Sequence, residues 1–442
     1  MTRFFGRHIA PEMLGLLLVE LTLSFVLAYA LLAPDLLSKG VYAGAAEHAV
    51  ILAATIAFTS FLLGLYRPQL FFRTRNLLIN TAFGGVAAFP AVWAVGMLLG
   101  IRSVTLVGPD PLWPIKILMI WIAALFGLRL CFMAAIRSKL FVRPVVVVGA
   151  VPMTAAVIRS GQAGFFEVVA PRVDPADPVA LRKSGVRHAV TSAEMFDTMA
   201  LASRDAYAVA GVQLEREPDF WERHLKRVDI DHLSADWFVS LDERPIGRAQ
   251  AFINRAGDIG ISLGLLIFTL PLMGLVALLV RWDSPGPILY KQERVGLGGH
   301  PFTLLKFRSM KTNAEARGPA WAQQGDPRVT RVGLLMRRTR IDELPQLVNV
   351  LRGQMSFIGP RPERPHFVEQ LADVIPFYRE RARVKPGLTG WAQVNYPYGA
   401  SVEDARAKLS YDLFYVKNRS VLLDLLIMFA TVRVILFQEG SR

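Results

Sequence analysis

The chain has 442 residues, 53% of them hydrophobic, with 50 Lys and Arg against 36 Asp and Glu and a formal net charge of +14. That length holds two or three domains, and so apolar a composition excludes an ordinary soluble protein. The one cysteine, Cys131, lies in an apolar run and excludes an intrachain disulfide or a cysteine-rich metal site.

A basic surplus also suits nucleic-acid binders. In membrane proteins it sits in cytoplasmic loops and against anionic lipid, so position along the chain separates the two classes. Four apolar segments, near 11–33, 48–66, 77–101 and 114–136, each approach the roughly 20 residues a helix needs to cross a bilayer core. They are read as a four-helix transmembrane region over 1–140, the first retained rather than cleaved as a signal. Arg3 and Arg7, then Arg67, Arg73 and Arg75, then Arg137, Lys139 and Arg143 mark one side, whereas the alternate loops hold Lys39 and Arg102. The asymmetry puts the N-terminus and everything after residue 137 on the cytoplasmic side, with no role for nucleic acid. Within the spans Glu20 stands out as an ionisable residue.

From Pro144-Val145-Val146-Val147-Val148-Gly149 the pattern becomes short β-branched runs alternating with helical ones, such as Thr154 to Arg159. This predicts a small α/β domain over 141–242, a degenerate Rossmann-like module. A dinucleotide fingerprint needs three glycines, and Val151, Pro152 and Thr154 follow Gly149 instead, so a structural or regulatory domain is expected.

Ile259 to Val280 is again long enough to span. Arg248 and Arg255 before it and Arg281, Lys291 and Arg294 after it give both flanks the cytoplasmic signature. Pro271 removes a helical hydrogen bond near its middle, so a re-entrant helix over about 257–281, bent at Pro271, is expected, with Thr269 offering a hydroxyl to a freed carbonyl. The alternative is a fifth, kinked span. Beyond it, Ile288-Leu289-Tyr290 and Phe302-Thr303-Leu304-Leu305 flank Gly296-Leu297-Gly298-Gly299 as a hairpin, and Val421 to Phe437 reads as an interface-lying helix.

The chemistry lies between these last elements. Arg340-Ile341-Asp342-Glu343-Leu344-Pro345-Gln346 sets two adjacent carboxylates at a helix start. Thr339-Arg340-Ile341-Asp342 fits a capping box, in which Asp342 only ties off the helix. Glu343, Pro345 and the basic residues Lys306, Arg331, Arg337, Arg338 and Arg340 point to phosphate chemistry instead. A helix N-terminus favours anions, and paired carboxylates could hold a hard divalent cation bridging to a diphosphate.

Together with Lys306-Phe307-Arg308-Ser309-Met310, Ser356-Phe357-Ile358-Gly359-Pro360-Arg361-Pro362 and Lys385-Pro386-Gly387-Leu388-Thr389-Gly390-Trp391-Ala392-Gln393-Val394-Asn395, that stretch resembles the catalytic domain of the bacterial polyprenyl-phosphate sugar-1-phosphate transferases. These are the monotopic phosphoglycosyl transferases, and the resemblance covers roughly residues 250–440. It implies a mostly helical catalytic domain over 243–442 with a re-entrant helix, at the cytoplasmic face of a bacterial inner membrane. It implies Asp342 as a nucleophile that takes hexose-1-phosphate from a UDP-sugar, releases UMP and passes the phosphosugar to polyprenyl phosphate, with Glu343 assisting and Mg2+ held by Asp342 and Glu343. Lys306, Arg308, Arg337 and Arg361 match basic positions of the family pattern as diphosphate contacts, and Lys385 stands where relatives carry arginine. Two departures are visible: Leu270 precedes Pro271 where the family has serine, and Lys385 replaces arginine. Membrane lipids are further expected partners, a homo-oligomer is compatible with the sequence, and a transporter or a nucleotide-sensing membrane protein are the competing functions.

Overall fold

The computed structural model describes residues 3–4, 7–8, 11–38, 42–63, 74–98, 113–149, 165–169, 173–233, 247–312, 326–396 and 401–437, with isolated residues between these segments. Contacts divide the chain into two units, Met1–Leu225 and Lys226–Arg442.

The first unit begins with four apolar helices, α1 (Pro11–Ser38), α2 (Tyr42–Leu62), α3 (Thr74–Leu98) and α4 (Trp113–Arg137). By length and composition α1, α3 and α4 are long enough to cross a membrane, whereas the apolar stretch of α2, Ala46–Phe61, is shorter. An α-helix satisfies its own backbone polar groups, which is why such segments suit lipid. Glu20 does not stand alone there. Arg129 of α4, which the apolar run around it concealed in the sequence, donates to both Glu20 carboxylate oxygens at 2.6 and 2.9 Å and to Thr81 at 3.1 Å. Tyr66 donates to Glu20 at 2.7 Å, so α1, α3, α4 and the chain after α2 share one buried polar knot. Of the basic residues that set the expected topology, Lys39, Arg67, Arg73 and Arg102 lie outside the described residues.

After α4 come four parallel strands in the order β2-β1-β3-β4, where β1 is Arg143–Val148, β2 Phe166–Val168, β3 His188–Thr191 and β4 Gln213–Arg216. Val146, Val148 and Ala189 pack on one face with Leu181 and Tyr207, while Val145 and Val190 pack on the other with Phe166, Phe220 and Trp221. A sheet covered on both faces explains the unbroken valine run. Half of the segment Thr154–Arg159, namely Ala156, Val157 and Arg159, and the turn after Gly149 lie outside the described residues.

The second unit starts from α5, Arg248–Asp283, a helix of 36 residues that runs without interruption through Pro271. Pro271 frees the carbonyl of Ile267, yet the Thr269 hydroxyl donates to Leu265, at 2.7 Å, so the expected rescue by Thr269 does not form. Ile267, Phe268, Leu270, Leu278 and Trp282 are exposed, which leaves α5 a long apolar surface. Its first turns grip the rest of the unit. Arg255 donates to the Val350 and Leu351 carbonyls, both at 2.7 Å, and Asp258 accepts from Ser356 at 2.9 Å and from the Phe357 N–H at 2.7 Å.

The hairpin expected around Gly296–Gly299 forms from β5 (Leu289–Val295) and β6 (Pro301–Phe307). Helices α6 (Arg331–Thr339) and α7 (Gln346–Leu351) follow, then β7 (Ser356–Ile358) paired in parallel with β8 (Gly387–Thr389), and finally α8 (Val402–Asn418) and α9 (Val421–Phe437). The core between them gathers Leu371, Ile375, Trp391, Leu409, Leu413, Leu423 and Ile427 with Val228, Ile230 and Trp237. The last three belong to the segment that the sequence assigned to the α/β domain.

Candidate active site

A close backbone contact starts the site. A Cβ on Gly333 would sit 2.1 Å from the Ser309 carbonyl oxygen, so only glycine lets the first turn of α6 lie against the chain leaving β6. That approach lets Arg337, at the last turn of α6, donate to the Ser309 hydroxyl at 3.2 Å. Arg340 then takes a left-handed conformation, φ 59°, and turns the chain into a short 3-10 turn, Ile341–Glu343. The two carboxylates therefore precede α7 on a tight turn rather than opening a helix. The alternative reading, a capping box, does not form: the Thr339 hydroxyl donates back to Leu335 and Met336, and Asp342 caps nothing.

Asp342 is buried, and its Oδ1 has no hydrogen-bond partner. Burial and then the neighbouring Glu343 push its carboxyl up to about 6, against the opposing pull of Lys306, Arg337 and Arg361. For Glu343 burial acts in the same sense but is outweighed, because Arg361 and Arg340 both pair with its Oε1, at 2.8 and 3.3 Å. Its carboxyl is held at about 2. Two neighbouring acids whose environments drive them apart are the usual sign of divided labour. Lys306 lies across the hairpin from Tyr290, its ammonium 5.1 Å from the ring centre, and burial together with Arg294 lowers it to about 8.

These groups surround a cavity of about 800 Å³ within this unit. Lys306, Arg337, Glu343 and Arg361 are on its wall, with Leu265, Val434 and Ile435 providing apolar lining. A cavity of this size, with apolar lining beside a dense set of mainly basic side chains, has the proportions of a site for an anionic small molecule. Four of the basic and acidic residues singled out in the sequence thus converge, with Asp342 buried between two wall residues, Ile341 and Glu343.

Two others are placed differently. Arg308 faces the wall, but its terminal nitrogens donate to the carbonyls of Pro285, at 2.8 Å, and Ser284, at 2.6 Å, and to the Ser284 hydroxyl at 3.0 Å. It braces the turn after α5 while it lines the cavity. Lys385 is not on the wall. A Cβ at Gly353 would lie 3.8 Å from its ammonium and 3.6 Å from the Arg255 guanidinium, which puts Lys385 beside the first turns of α5. The sequence also missed residues that the wall includes: Arg294, read only as a flanking charge, and Arg381 and Asp412, an ion pair at 2.7 Å. Their basic or acidic character was visible, but their convergence depends on contacts between distant segments.

A family model described as "Bacterial sugar transferase" matches residues 249–438. Among curated relatives, the UDP-N-acetylgalactosamine-undecaprenyl-phosphate N-acetylgalactosaminephosphotransferase of Aeromonas hydrophila is 49% identical over 216 residues, 49% of this chain and 50% of that protein. The UDP-glucose:undecaprenyl-phosphate glucose-1-phosphate transferase of Escherichia coli K12 is 38% identical over 217 residues, 49% of this chain and 47% of the relative. This chain thus spans about half the length of those two. A protein of the latter name from Xanthomonas campestris pv. campestris is 30% identical over 473 residues, covering 99% of this chain and 96% of its own.

Proposed function

The chain belongs to the bacterial sugar transferase family, and from that premise we propose that it transfers hexose-1-phosphate from a UDP-sugar to a polyprenyl phosphate, undecaprenyl phosphate in the bacterial setting. The observation that carries this reading is the buried Asp342, an oxygen of which lacks any hydrogen bond, set among Lys306, Arg337 and Arg361. Phosphoryl transfer asks mainly for an aligned nucleophile and neutralised phosphate charge. An Asp342 carboxylate oxygen attacks the sugar-bearing phosphorus, the bond to the bridging oxygen breaks, and UMP leaves. The polyprenyl phosphate oxygen then attacks the same phosphorus, releasing the Asp342 carboxylate and giving polyprenyl diphosphate hexose. Arg337 and Arg361 bind the diphosphate through their forked nitrogens, and Lys306 adds a point charge. Arg308 acts at one remove, by holding the turn after α5.

The donor chemistry fits Mg2+. Asp342 offers an unbonded oxygen, and among the described residues both arginines that pair with Glu343 meet its Oε1, so the two carboxylates could together hold a hard cation. Bound there, such an ion would supply additional neutralisation of phosphate charge. We assign the catalytic unit to the cytoplasmic face of the inner membrane, where a water-soluble nucleotide sugar and a lipid-bound acceptor meet. In the same reading α5 enters and leaves by one face, as a re-entrant helix around Pro271, and the four parallel strands form a Rossmann-like domain that supports rather than reacts. A transporter gains no support from the first unit: its buried Glu20 and Arg129 are closed on each other rather than open to a path.

The test is UMP release by the full-length protein from UDP-glucose, UDP-galactose and UDP-N-acetylgalactosamine, with Mg2+ and with or without undecaprenyl phosphate. One equivalent of UMP per protein should appear without acceptor, along with a phosphohexose adduct on the peptide containing Asp342. UMP release only in the presence of acceptor, with no adduct at any time, would exclude the covalent route.

A further inference from the structure

The loop Pro360–Glu363, which presents Arg361, hangs by its carbonyls. Pro360 and Pro362 have no N–H, so the loop has few internal donors and its carbonyls must be met from outside. All four are. The Pro360 carbonyl accepts from the Gly387 N–H at 2.9 Å, that of Arg361 from Arg381 at 3.0 Å, that of Pro362 from Arg294 at 2.9 Å, and that of Glu363 from the Val295 N–H at 2.9 Å. Two of the donors are main-chain groups of strands β8 and β5. The other two are arginine side chains that line the cavity.

Arg381 is itself fixed. One terminal nitrogen donates to the Tyr378 hydroxyl at 2.9 Å, and the other is shared between the Arg361 carbonyl and Asp412, at 2.7 Å. Asp412 is 1% exposed and sits on α8, so Arg381 ties the loop to a rigid helix in the core. The side chain of Arg361 leaves the same residue in the other direction and pairs with Glu343 at 2.8 Å.

We propose that Arg381, held by Asp412, is a positioning residue for the sugar-phosphate transfer: by anchoring the Arg361 main chain, it aims the Arg361 guanidinium at Glu343 and the phosphate end of the cavity. This rests on the function proposed above. Asp412 is needed because a lone buried guanidinium would carry an uncompensated charge, and the pair also fixes the rotamer that reaches the carbonyl. Arg381 makes its contribution through Arg361 alone.

The experiment compares Arg361→Gln, the charge-balanced pair Arg381→Gln with Asp412→Asn, and all three changes together, in the full-length protein. The pair removes both charges at once, so no unpaired ion remains to unfold the unit. UMP release by the pair should fall on the order of 10²-fold in kcat/KM, as expected for a catalytic group displaced by about 1 Å. The triple variant should be no slower than Arg361→Gln, because the two effects share one route. Multiplication of the two losses would overturn the proposal, and Arg381→Lys should recover part of the activity. A second readout needs no turnover: phenylglyoxal modification of Arg361, followed by mass spectrometry, should be several-fold faster in the folded pair variant than in the wild type. An unchanged rate overturns the positioning role even where UMP release is lost. Failure of the wild type to release UMP from any UDP-sugar would instead overturn the proposed function, while the labelling still decides where Arg361 is held.

Discussion

Arg361 and Glu343 form a 2.8 Å ion pair, while the carboxylate just before Glu343 in the chain, Asp342, keeps a buried oxygen without a hydrogen bond. One acid is neutralised by arginine and the other is left reactive. In the proposed reaction the second is the nucleophile, so function and stability pull against each other at that position.

Asp342→Asn should therefore abolish turnover and also stabilise the protein. The fold raises the Asp342 carboxyl from 3.8 to about 6, so it favours the protonated form, and the cost in stability grows as pH rises from about 4, where the unfolded carboxyl ionises, and is complete above about 6. The difference corresponds to about 3 kcal/mol at neutral pH, and it vanishes below about pH 4, where both folded and unfolded forms are protonated. Thermal melts of wild type and variant at pH 7.5 and pH 4 check this: a higher melting temperature for the variant at the first pH only is the expected pattern.

The pH profile of kcat/KM should be a bell. Its acid limb lies near 6, where Asp342 must lose its proton to attack, and its basic limb near 8, where Lys306 loses the charge that faces phosphate. Glu343, at about 2, stays ionised throughout. Raising Mg2+ should draw the acid limb to lower pH, because a carboxylate ligand must be deprotonated to bind the ion. An acid limb that ignores Mg2+ would remove Asp342 from the ligand set.

Among the basic residues the expected losses differ with position. Arg337→Ala and Arg361→Ala should each cost on the order of 2–3 kcal/mol of transition-state binding, the scale for removing one charge-stabilising donor. Lys385→Ala, away from the cavity, should stay within about threefold of wild type, since a charge outside the cavity wall does not touch the phosphates. Steady-state UMP release by the three variants orders them. A loss for Lys385→Ala as large as for Arg361→Ala would put the lysine back among the phosphate contacts.

These contrasts also mark what the sequence could reveal. Asp342 and Glu343 were legible because adjacent carboxylates before a proline are rare in a basic stretch, and the hairpin because glycines interrupt two apolar runs. The left-handed Arg340, which turns the carboxylates off the helix start, has no sequence signal: an arginine there looks like any other. Arg308 and Lys385 were assigned to phosphate from the family pattern, and the main-chain carbonyls or neighbours that engage them were not visible in the sequence. Arg129 was hidden for a related reason, since its partner lies 109 residues away.

The Glu20–Arg129 pair should behave as a buried ion pair does when halved. Glu20→Gln or Arg129→Gln alone leaves a charge without its counter-ion among apolar helices and should cost about 3–5 kcal/mol, whereas replacing both by residues of similar volume, Glu20→Leu with Arg129→Met, should cost much less. Thermal stability of detergent-purified protein measures all three. Equal losses for single and double variants would mean that the pair contributes net stability of its own.

The course of α5 decides on which side the catalytic unit lies. From Arg248 to Asp283 it is a continuous helix of 36 residues, a length of roughly 54 Å if straight, ample to span the hydrocarbon core. Basic residues at both ends oppose export of the unit that follows, and the proposed donor is cytoplasmic. Single cysteines at Gln250 and Ser284, introduced after Cys131→Ser, should both react with a membrane-impermeant maleimide only in inverted vesicles. Reaction of Ser284→Cys from the opposite side would make α5 a full span and would place Asp342 where no UDP-sugar is supplied.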